Sequence, residues 1–597
     1  MKKLLLTAIV LIAFSSADGQ RRDVNLPAQY WTLEQSQAII DKTQTTRLAP
    51  DISDLSAGER AALEKLNEVG EIFQKIYAKQ RYPEALSSLD ALNRLDQRLG
   101  STAAPQNLLT LFRLNQGPVA TTLDNKREPF LPVRVLPAGG GMYPADATKA
   151  ELDAFISANP EKKDEILDQR TLVRRATTAN LQTDLATLRK YPVLDALHPN
   201  LKKQLLIMRP DAKSFYAVPY SVAFSDELIK THALLNQAAD AVEKDDAEFA
   251  GYLRNHSRDL LSDNYESGDA AWATANFKNL NGQIGAYETY DDPLYGVKTF
   301  FSLNVLKTRR PETKNLRQAL KGLQTLEDSL PDGDHKKVKE DISVGVYDVV
   351  TDFAQSRGGN TATILPNESL YARRYGRTIL IRANILQNPE IFDASLRGFQ
   401  IAVAQKNAND LTSEGNFYYT LWHEVGHYLG VDRTKSGEEI HSALQENADI
   451  YEEMKADLVS LYVAEALQKS GYYTTEQLRS VYAAGIRRVL QNNKPRRSQP
   501  YNTMQLMQWN FFLENDLLRY DQKSERLMIN YDKYHETVGK LLAKVFEIQF
   551  NGDKNASDRF IDKYTIWNEN LHGTIAKNIR DQQRYRFRLF KYAALGE

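Results

Sequence analysis

The sequence predicts an α+β protein, mostly helical, that folds into more than one lobe. Its 597 residues exceed what one hydrophobic core usually serves. Helical periodicity dominates both ends of the chain, whereas short runs rich in β-branched residues, separated by glycines, fill the stretch from 341 to 386. We therefore expect a segment of sheet inserted between helical regions.

The two ends of the chain carry the helical pattern. From about 24 to 101 apolar residues recur at helical spacing with few glycines, and helices are predicted again from Thr412 onward, with loops at 430–437 and 492–500. Periodicity predicts further helices in between. They run over 150–159, 226–244 and 246–261.

A few stretches predict strands and turns. A strand is expected over 130–136, followed by a turn at the triple glycine 139–141. That glycine run lacks the Lys-Ser/Thr ending of a phosphate loop and the spacing of a dinucleotide fingerprint, so no nucleotide site is expected there. Within the β-rich stretch, strands are predicted over 344–350 and 378–382.

The charge balance excludes partners that a strongly charged chain would attract. Lysine and arginine number 76 against 77 acidic residues, for a formal net charge of −1, so no global field gathers nucleic acid or an anionic membrane. The stretch 584–590 alternates basic and aromatic residues, and in an otherwise neutral chain it is interpreted as a packed element. We expect no nucleic-acid partner and no membrane insertion.

The N-terminus predicts export. Two lysines precede an apolar run from Leu4 to Phe14, and the small residues after it fit a signal-peptidase cut, so residues 1–19 are predicted to be a signal peptide. The apolar run is too short to span a bilayer comfortably. Because the chain has no cysteine, no disulfide or lipid anchor is expected, and the protein is predicted to be periplasmic or secreted. Any metal site must then use His, Asp and Glu.

The segment from Leu421 to Leu429 contains the pattern His-Glu-x-x-His. A helix brings residues four positions apart to one face, so His423 and His427 can reach one metal ion while Glu424 stands beside it. A catalytic zinc site usually has three protein ligands and one open position. A third ligand is therefore needed.

A predicted helix downstream supplies that ligand. It places Glu453 and Asp457 on one face, and we expect Glu453 to bind the metal while Asp457 orients a histidine from behind. Glu452 and Lys455 are expected to form the solvated face of this helix. Glu446 is the alternative third ligand.

Together these residues resemble the dipeptidyl peptidase III family of zinc exopeptidases. The resemblance rests on the histidine motif and on the run 452–457, and it is supported by the segments 143–146, 263–272 and 284–292. It extends from about residue 136 to about 514. The best-known members carry one more residue between the histidines, and this chain has the five-residue form of some bacterial relatives.

The resemblance implies an architecture. Two lobes are expected around a wide cleft, one helical and carrying a single Zn2+ ion, the other with a β-barrel-like core. The first lobe would span 20–308 together with the β-rich segment 341–390. The rest of 309–597 would form the catalytic lobe.

The resemblance also implies substrate-binding residues. It places Glu288 and Tyr290 in the cleft, together with Asn367, which follows a proline. On its own, an asparagine after proline is typical of a turn. Ile364 stands where the family has a second cleft asparagine. Glu452 is expected with Asp457 behind the metal ligands.

One family feature has no counterpart in this sequence. The family carries a further cleft histidine on a later helix, whereas the stretch 498–514 contains no histidine. His535 and His572 are not obviously equivalent to it. The stretch offers Tyr501, Asn502 and Gln505 instead.

The expected function is hydrolysis of short peptides with release of N-terminal dipeptides. Glu424 would act as general base and Tyr290 would hydrogen-bond the oxyanion, while Glu288 and Asn367 would accept the free N-terminus. A zinc aminopeptidase, an oligopeptidase, and a peptide-binding relative without turnover are the alternatives. The sequence predicts no oligomeric state.

Overall fold

The computed structural model of the protein describes most of the chain. The described residues are 26–136, 139–331, 335–339, 342–354, 359–366, 368–497 and 499–597. The predicted signal peptide and the predicted substrate residue Asn367 lie outside them. Within these ranges, no helix combines the length and apolar character needed to cross a membrane.

Helices make up most of the described secondary structure. The α-helices are α1 (Leu33–Ile40), α2 (Ala57–Arg81), α3 (Ala85–Arg98), α4 (Ala103–Asn115), α5 (Lys149–Ala158), α6 (Lys163–Ile166), α7 (Thr178–Lys190), α8 (Pro192–Leu197), α9 (Leu201–Ile207), α10 (Tyr220–Ala223), α11 (Ser225–Val242), α12 (Ala247–Ser262), α13 (Glu266–Thr274), α14 (Arg310–Leu320), α15 (Leu323–Asp328), α16 (Ser369–Tyr375), α17 (Ala383–Leu386), α18 (Pro389–Ala402), α19 (Ser413–Gly426), α20 (Ile440–Leu444), α21 (Ala448–Lys469), α22 (Thr475–Val489), α23 (Pro500–Glu514), α24 (Tyr534–Asn551), α25 (Lys554–Tyr564) and α26 (Thr574–Gln582).

The strands are short and form several small sheets and one larger sheet. They are β1 (Thr43–Leu48), β2 (Val119–Thr121), β3 (Arg127–Pro129), β4 (Thr171–Ala176), β5 (Asp211–Pro219), β6 (Leu280–Glu288), β7 (Phe300–Thr308), β8 (Ser343–Phe353), β9 (Ala362–Leu365), β10 (Thr378–Arg382), β11 (Leu518–Asp521), β12 (Arg526–Ile529) and β13 (Phe587–Tyr592).

The chain forms two compact units. In the first, α4 packs against α1 and α3, and the hairpin β2–β3 follows α4. The second unit contains the remaining helices and strands, including the candidate site described below. The first unit comprises Met1–Asp41 and Glu84–Arg134, and the second comprises Lys42–Pro83 and Val135–Glu597.

The strand predicted over 130–136 is wrong. The hairpin ends at Pro129, and residues 130–136 carry no strand. Pro132 has no N–H to donate to a ladder, and Val135 is 85% exposed. The run therefore has no partner strand: Phe130 and Leu131 are buried, whereas Val135 lies at the surface.

A five-stranded mixed sheet organises the second unit. Its strand order is β6-β7-β8-β10-β9, and only the β8–β10 pair is parallel. All five residues of β10 are buried, as expected for a strand covered on both faces. Because side chains alternate along a strand, Ile379 and Ile381 pack into one hydrophobic core and Leu380 into another.

Two hydrophobic cores lie on the two faces of this sheet. In the first core, α2 packs against β7 and α11, and α11 packs against α12. In the second, α21 is surrounded by α19, α22, α23 and α24. The predicted α+β, mostly helical fold class is confirmed, and the expected barrel-like core is a curled five-stranded sheet. The lobe boundary at residue 308 stays a prediction.

Local patterns predicted several elements well. The helices α5, α11 and α12 begin and end within two residues of the predicted bounds, β10 has the predicted bounds, and the strand predicted over 344–350 lies within β8. The turn at 139–141 is confirmed, since the carbonyl of Gly139 accepts from the N–H groups of Met142 and Tyr143. The basic and aromatic stretch near the C-terminus is a packed element, as expected, in which β13 pairs in parallel with β1.

Candidate active site

Helix α19 carries the histidine motif. Its first residue follows Thr412, whose side chain accepts the N–H of Gly415 and so caps the helix. His423 lies in the last turn and His427 is the residue that ends the helix. The centroids of the two imidazole rings are 5.0 Å apart. The spacing of four residues has brought both rings to one face.

Helix α21 brings the third residue to the histidines. It crosses α19 at Gly426, where a Cβ atom would lie only 2.8 Å from the backbone oxygen of Ala456. A larger residue at this position would push the two helices apart. The Oε2 atom of Glu453 consequently lies 3.3 Å from Nε2 of His423 and 4.0 Å from Nε2 of His427.

The three side chains form a group that suits a metal ion. One ligand atom each from His423, His427 and Glu453 lies within 4.8 Å of the others. Two imidazoles and one carboxylate are a common donor set of catalytic zinc sites. Glu446, the alternative ligand, has a 72% exposed side chain and pairs with Lys554 at 3.1 Å.

Each imidazole is supported from behind by a carboxylate. Nδ1 of His423 lies 2.7 Å from Asp457, and Nδ1 of His427 lies 3.0 Å from Glu452. Both Nε2 atoms are therefore turned toward Glu453. Burial opposes ionisation of Asp457, but the Arg488 guanidinium and His423 lower the pKa of that carboxyl well below its usual range.

The expectation that Glu452 and Lys455 form a solvated face is wrong. Lys455 is 1% exposed. Its Nζ lies 2.9 Å from Glu452 and donates to the carbonyl of Val431 at 3.3 Å. Four helices pack around α21, so Lys455 is enclosed, and the side chain of Glu452 is only 26% exposed. Burial opposes ionisation of Glu452, but Lys455 holds the pKa of that carboxyl well below its usual range.

An open pocket of about 700 Å3 lies over this group. Its wall includes residues from the sheet of the second unit, from α18, α19, α21, α22 and α23, and from β13. The charged side chains of the wall are three carboxylates and three guanidinium groups. The acidic residues are Glu288, Glu424 and Glu453. The arginines are Arg487, Arg488 and Arg588, and the two histidines of the motif also line the pocket.

The predicted substrate residues Glu288 and Tyr290 both line the pocket. Glu288 is the last residue of β6, and burial raises the pKa of its carboxyl while the guanidinium of Arg382 opposes that rise. Tyr290 as a whole residue is 78% exposed. The negative charge of Glu288, then burial and the charge of Glu453, raise the pKa of Tyr290 to about 12. The phenol thus stays protonated and can donate a hydrogen bond.

The predicted role of Asn367 stays a prediction, since this residue lies outside the described ranges. The strand before it does reach the site: Ile364 in β9 lines the pocket.

The later helix contributes a tyrosine rather than a histidine. Tyr501 lines the pocket, and its hydroxyl donates to Oε1 of Glu453 at 3.1 Å. His535 stacks on Tyr462, with ring centroids 4.4 Å apart, and His572 packs against tryptophan rings. Neither histidine is among the described residues that line the pocket.

Sequence reasoning missed the arginines of the pocket. Nη2 of Arg487 donates to Oγ of Ser395 at 3.0 Å, and burial lowers the pKa of Arg487 to about 10. Arg488 reaches Asp457. An Arg-Arg pair in the last turn of a helix is typical of charges that complement the helix dipole, so the sequence carried no signal for a pocket.

Comparisons with known proteins bear on the fold. No family model matches the chain. A curated relative, Nudix hydrolase 3 of Arabidopsis thaliana, is 23% identical over 586 residues, covering 91% of this chain and 72% of the relative.

Two solved structures cover nearly the whole chain. Dipeptidyl peptidase III from Caldithrix abyssi matches with a TM-score of 0.77 and 22% identity, covering 93% of this chain and 99% of that one. The enzyme from Corallococcus sp. strain EGB matches with a TM-score of 0.72 and 23% identity, covering 96% and 99%. The resemblance drawn from the motifs is confirmed at the level of structure, and this chain has the fold of dipeptidyl peptidase III.

Proposed function

We propose that this chain is a zinc-dependent exopeptidase that removes dipeptides from the free N-terminus of short peptides. The observation that carries the proposal is the convergence of His423, His427 and Glu453 beside Glu424 in one open pocket. The fold supports it, because the two similar solved structures are dipeptidyl peptidases. Export directed by residues 1–19 belongs to the same proposal.

The donor set fits zinc. Zinc bound there would polarise the scissile carbonyl and lower the pKa of a water molecule toward ~7. The carboxylates behind the two histidines hold each Nδ1, so that each Nε2 is available as a ligand atom. One position is left for the reactants when three side chains bind.

Proton transfer is assigned to Glu424. It follows His423 in α19 and lines the pocket, so its carboxylate stands next to the metal ligands. There it can take a proton from the attacking water and pass it to the leaving amine. Tyr290, whose phenol stays protonated, would donate to the oxygen on which negative charge develops.

The free N-terminus of the peptide is assigned to Glu288. An ammonium group brought into a pocket needs acceptors, and a carboxylate at the end of β6 supplies one. Asn367 would supply a second acceptor. An acceptor group placed two residues from the cleaved bond makes the products dipeptides.

Metal analysis combined with product analysis tests the proposal. The purified mature chain should contain one zinc ion, and an unbiased mixture of short peptides should lose N-terminal dipeptides, as measured by mass spectrometry. A chelator should stop the release. Single amino acids as products would instead indicate an aminopeptidase, internal fragments an oligopeptidase, and bound but uncut peptides a binding protein.

A further inference from the structure

A phenol on α23 touches the carboxylate that we propose as the third metal ligand. Tyr501 is the second residue of α23; it lines the pocket, and the residue is 47% exposed. Its hydroxyl donates to Oε1 of Glu453 at 3.1 Å.

The two oxygens of Glu453 have different surroundings. Oε2 lies 3.3 Å and 4.0 Å from the Nε2 atoms of His423 and His427. Oε1 instead accepts the hydrogen bond from Tyr501. Oε2 is thus the oxygen of Glu453 that lies nearer to both Nε2 atoms.

The tyrosine is held by rigid elements rather than by a loop. Pro500 is the first residue of α23, which fixes the backbone just before Tyr501. The guanidinium of Arg488 lies 5.9 Å from the centroid of the tyrosine ring. Arg488 itself pairs with Asp457 at 3.4 Å, so the ring and the supporting carboxylate share one cation.

We propose that Tyr501 is a positioning residue that holds Glu453 to one-oxygen binding and thereby keeps a metal position free for the reactants. This inference rests on the zinc site of the proposed function. A carboxylate can bind a metal through one oxygen or through both. Two imidazoles and a two-oxygen carboxylate would fill the four positions that zinc usually offers. The hydrogen bond to Oε1 opposes that arrangement.

The test replaces the phenol and monitors the metal directly. In Tyr501→Phe, Oε1 loses its donor, so we expect two-oxygen binding, a rise in coordination number and weaker visible absorption of the cobalt(II)-substituted protein. The affinity for zinc should change less than about tenfold, because no ligand is removed. Turnover of an unblocked tetrapeptide should fall by about 10–100-fold in kcat.

Tyr531→Phe is the matched control. The hydroxyl of Tyr531 donates to Oδ2 of Asp410 at 3.0 Å, so the control also removes a phenol-to-carboxylate bond. Tyr531 is not among the described residues lining the pocket. The cobalt spectrum and kcat of this variant should match those of the unchanged protein.

The outcomes separate the inference from the function on which it rests. An unchanged cobalt spectrum in Tyr501→Phe overturns the inference, and if kcat still falls, the phenol acts on the substrate instead. If Glu453→Ala bound one cobalt ion with unchanged affinity, Glu453 would not be a metal ligand. That result would overturn both the inference and the proposed metal site. A wild-type chain that binds cobalt without releasing dipeptides refutes only the proposed specificity, because the spectral comparison needs no turnover.

Discussion

At the scale of single residues, buried ion pairs support the candidate metal site. Each imidazole contacts a carboxylate through Nδ1, and each carboxylate is paired with a cation from the same or a neighbouring helix. This arrangement fixes the orientation of both rings before any metal binds. The two chains of contacts are His423–Asp457–Arg488 and His427–Glu452–Lys455.

Removing the proposed base should separate metal binding from catalysis. In Glu424→Gln both imidazoles and Glu453 remain, so one zinc ion should still bind. Because the proton acceptor is lost, kcat should fall by about 10²–10⁴-fold. Zinc content and kcat measured on the same preparation check this. Near-normal hydrolysis would contradict the assigned mechanism.

Removing a supporting carboxylate should weaken the metal site without destroying it. Asp457→Ala frees Nδ1 of His423 and leaves Arg488 without its carboxylate, so the affinity for zinc should fall by about 10–100-fold. Glu453→Ala should weaken binding far more. Glu446→Ala is the control, since that side chain pairs with Lys554 outside the group. Competition with a zinc-binding dye measures all three, and loss of metal in the control alone would reassign the third ligand.

At the scale of secondary-structure elements, the end of β6 is fixed where it enters the pocket. The N–H of Ala286 donates to the hydroxyl of Tyr265, and its carbonyl accepts from Nε of Arg170 at 3.3 Å. The register with β7 shifts between Ala286 and Glu288, which bends the strand end. Glu288 and Tyr290 therefore extend from an anchored strand.

Tyr290→Phe should reveal whether this anchored segment acts in the transition state. A donor that meets charge only as it develops on oxygen lowers the barrier without tightening the ground state. We expect kcat to fall by about 10²–10³-fold while KM changes less. Steady-state kinetics with an unblocked peptide give both constants. If only KM rose, Tyr290 would be a ground-state binding residue.

Local patterns predicted the elements whose signals are local. The i, i+4 spacing placed His423 and His427 together, and a short run rich in β-branched residues predicted β10, because both signals depend only on neighbouring residues. The pairing of β1 with β13 joins residues more than 500 positions apart, and no local pattern predicts it. The burial of Lys455 and the contact between Tyr501 and Glu453 likewise depend on how several helices pack.

At the scale of the whole molecule, the first core contains carboxyl groups that resist ionisation. Burial raises the pKa of Asp263, Asp269 and Asp352 to about 7, whereas an aspartate in an unfolded chain titrates near ~3.9. Between these values the folded chain binds more protons than the unfolded chain. The associated stability is fully present below pH ~3.9 and is lost as the pH rises through about 7.

Asp352→Asn should reduce this pH dependence. An amide cannot ionise, so the variant does not carry the cost of a buried charge at pH 8. The Tm of the variant minus the Tm of the wild type should therefore increase as the pH rises from 5 to 8. Asp164→Asn, at an exposed position, is the control and should leave the dependence of Tm on pH unchanged. Differential scanning calorimetry on the metal-free proteins measures both. If the curves of Tm against pH were parallel for Asp352→Asn and the wild type, ionisation of Asp352 would not contribute to the pH dependence of stability.

The pocket also joins the two cores functionally, because the end of β6 and the helices of the second core contribute to the same wall. Under the proposed function, a peptide N-terminus bound at Glu288 would set which bond reaches the metal ligands. Unblocked peptides should lose dipeptides one after another, and N-acetylation should abolish cleavage, because an acetylated amine carries no charge for Glu288 to accept. Glu288→Gln should raise KM for unblocked peptides more than it lowers kcat. Time-resolved mass spectrometry of paired free and acetylated peptides measures these effects, and equal cleavage of both forms would refute dipeptide release while leaving the zinc hydrolase in place.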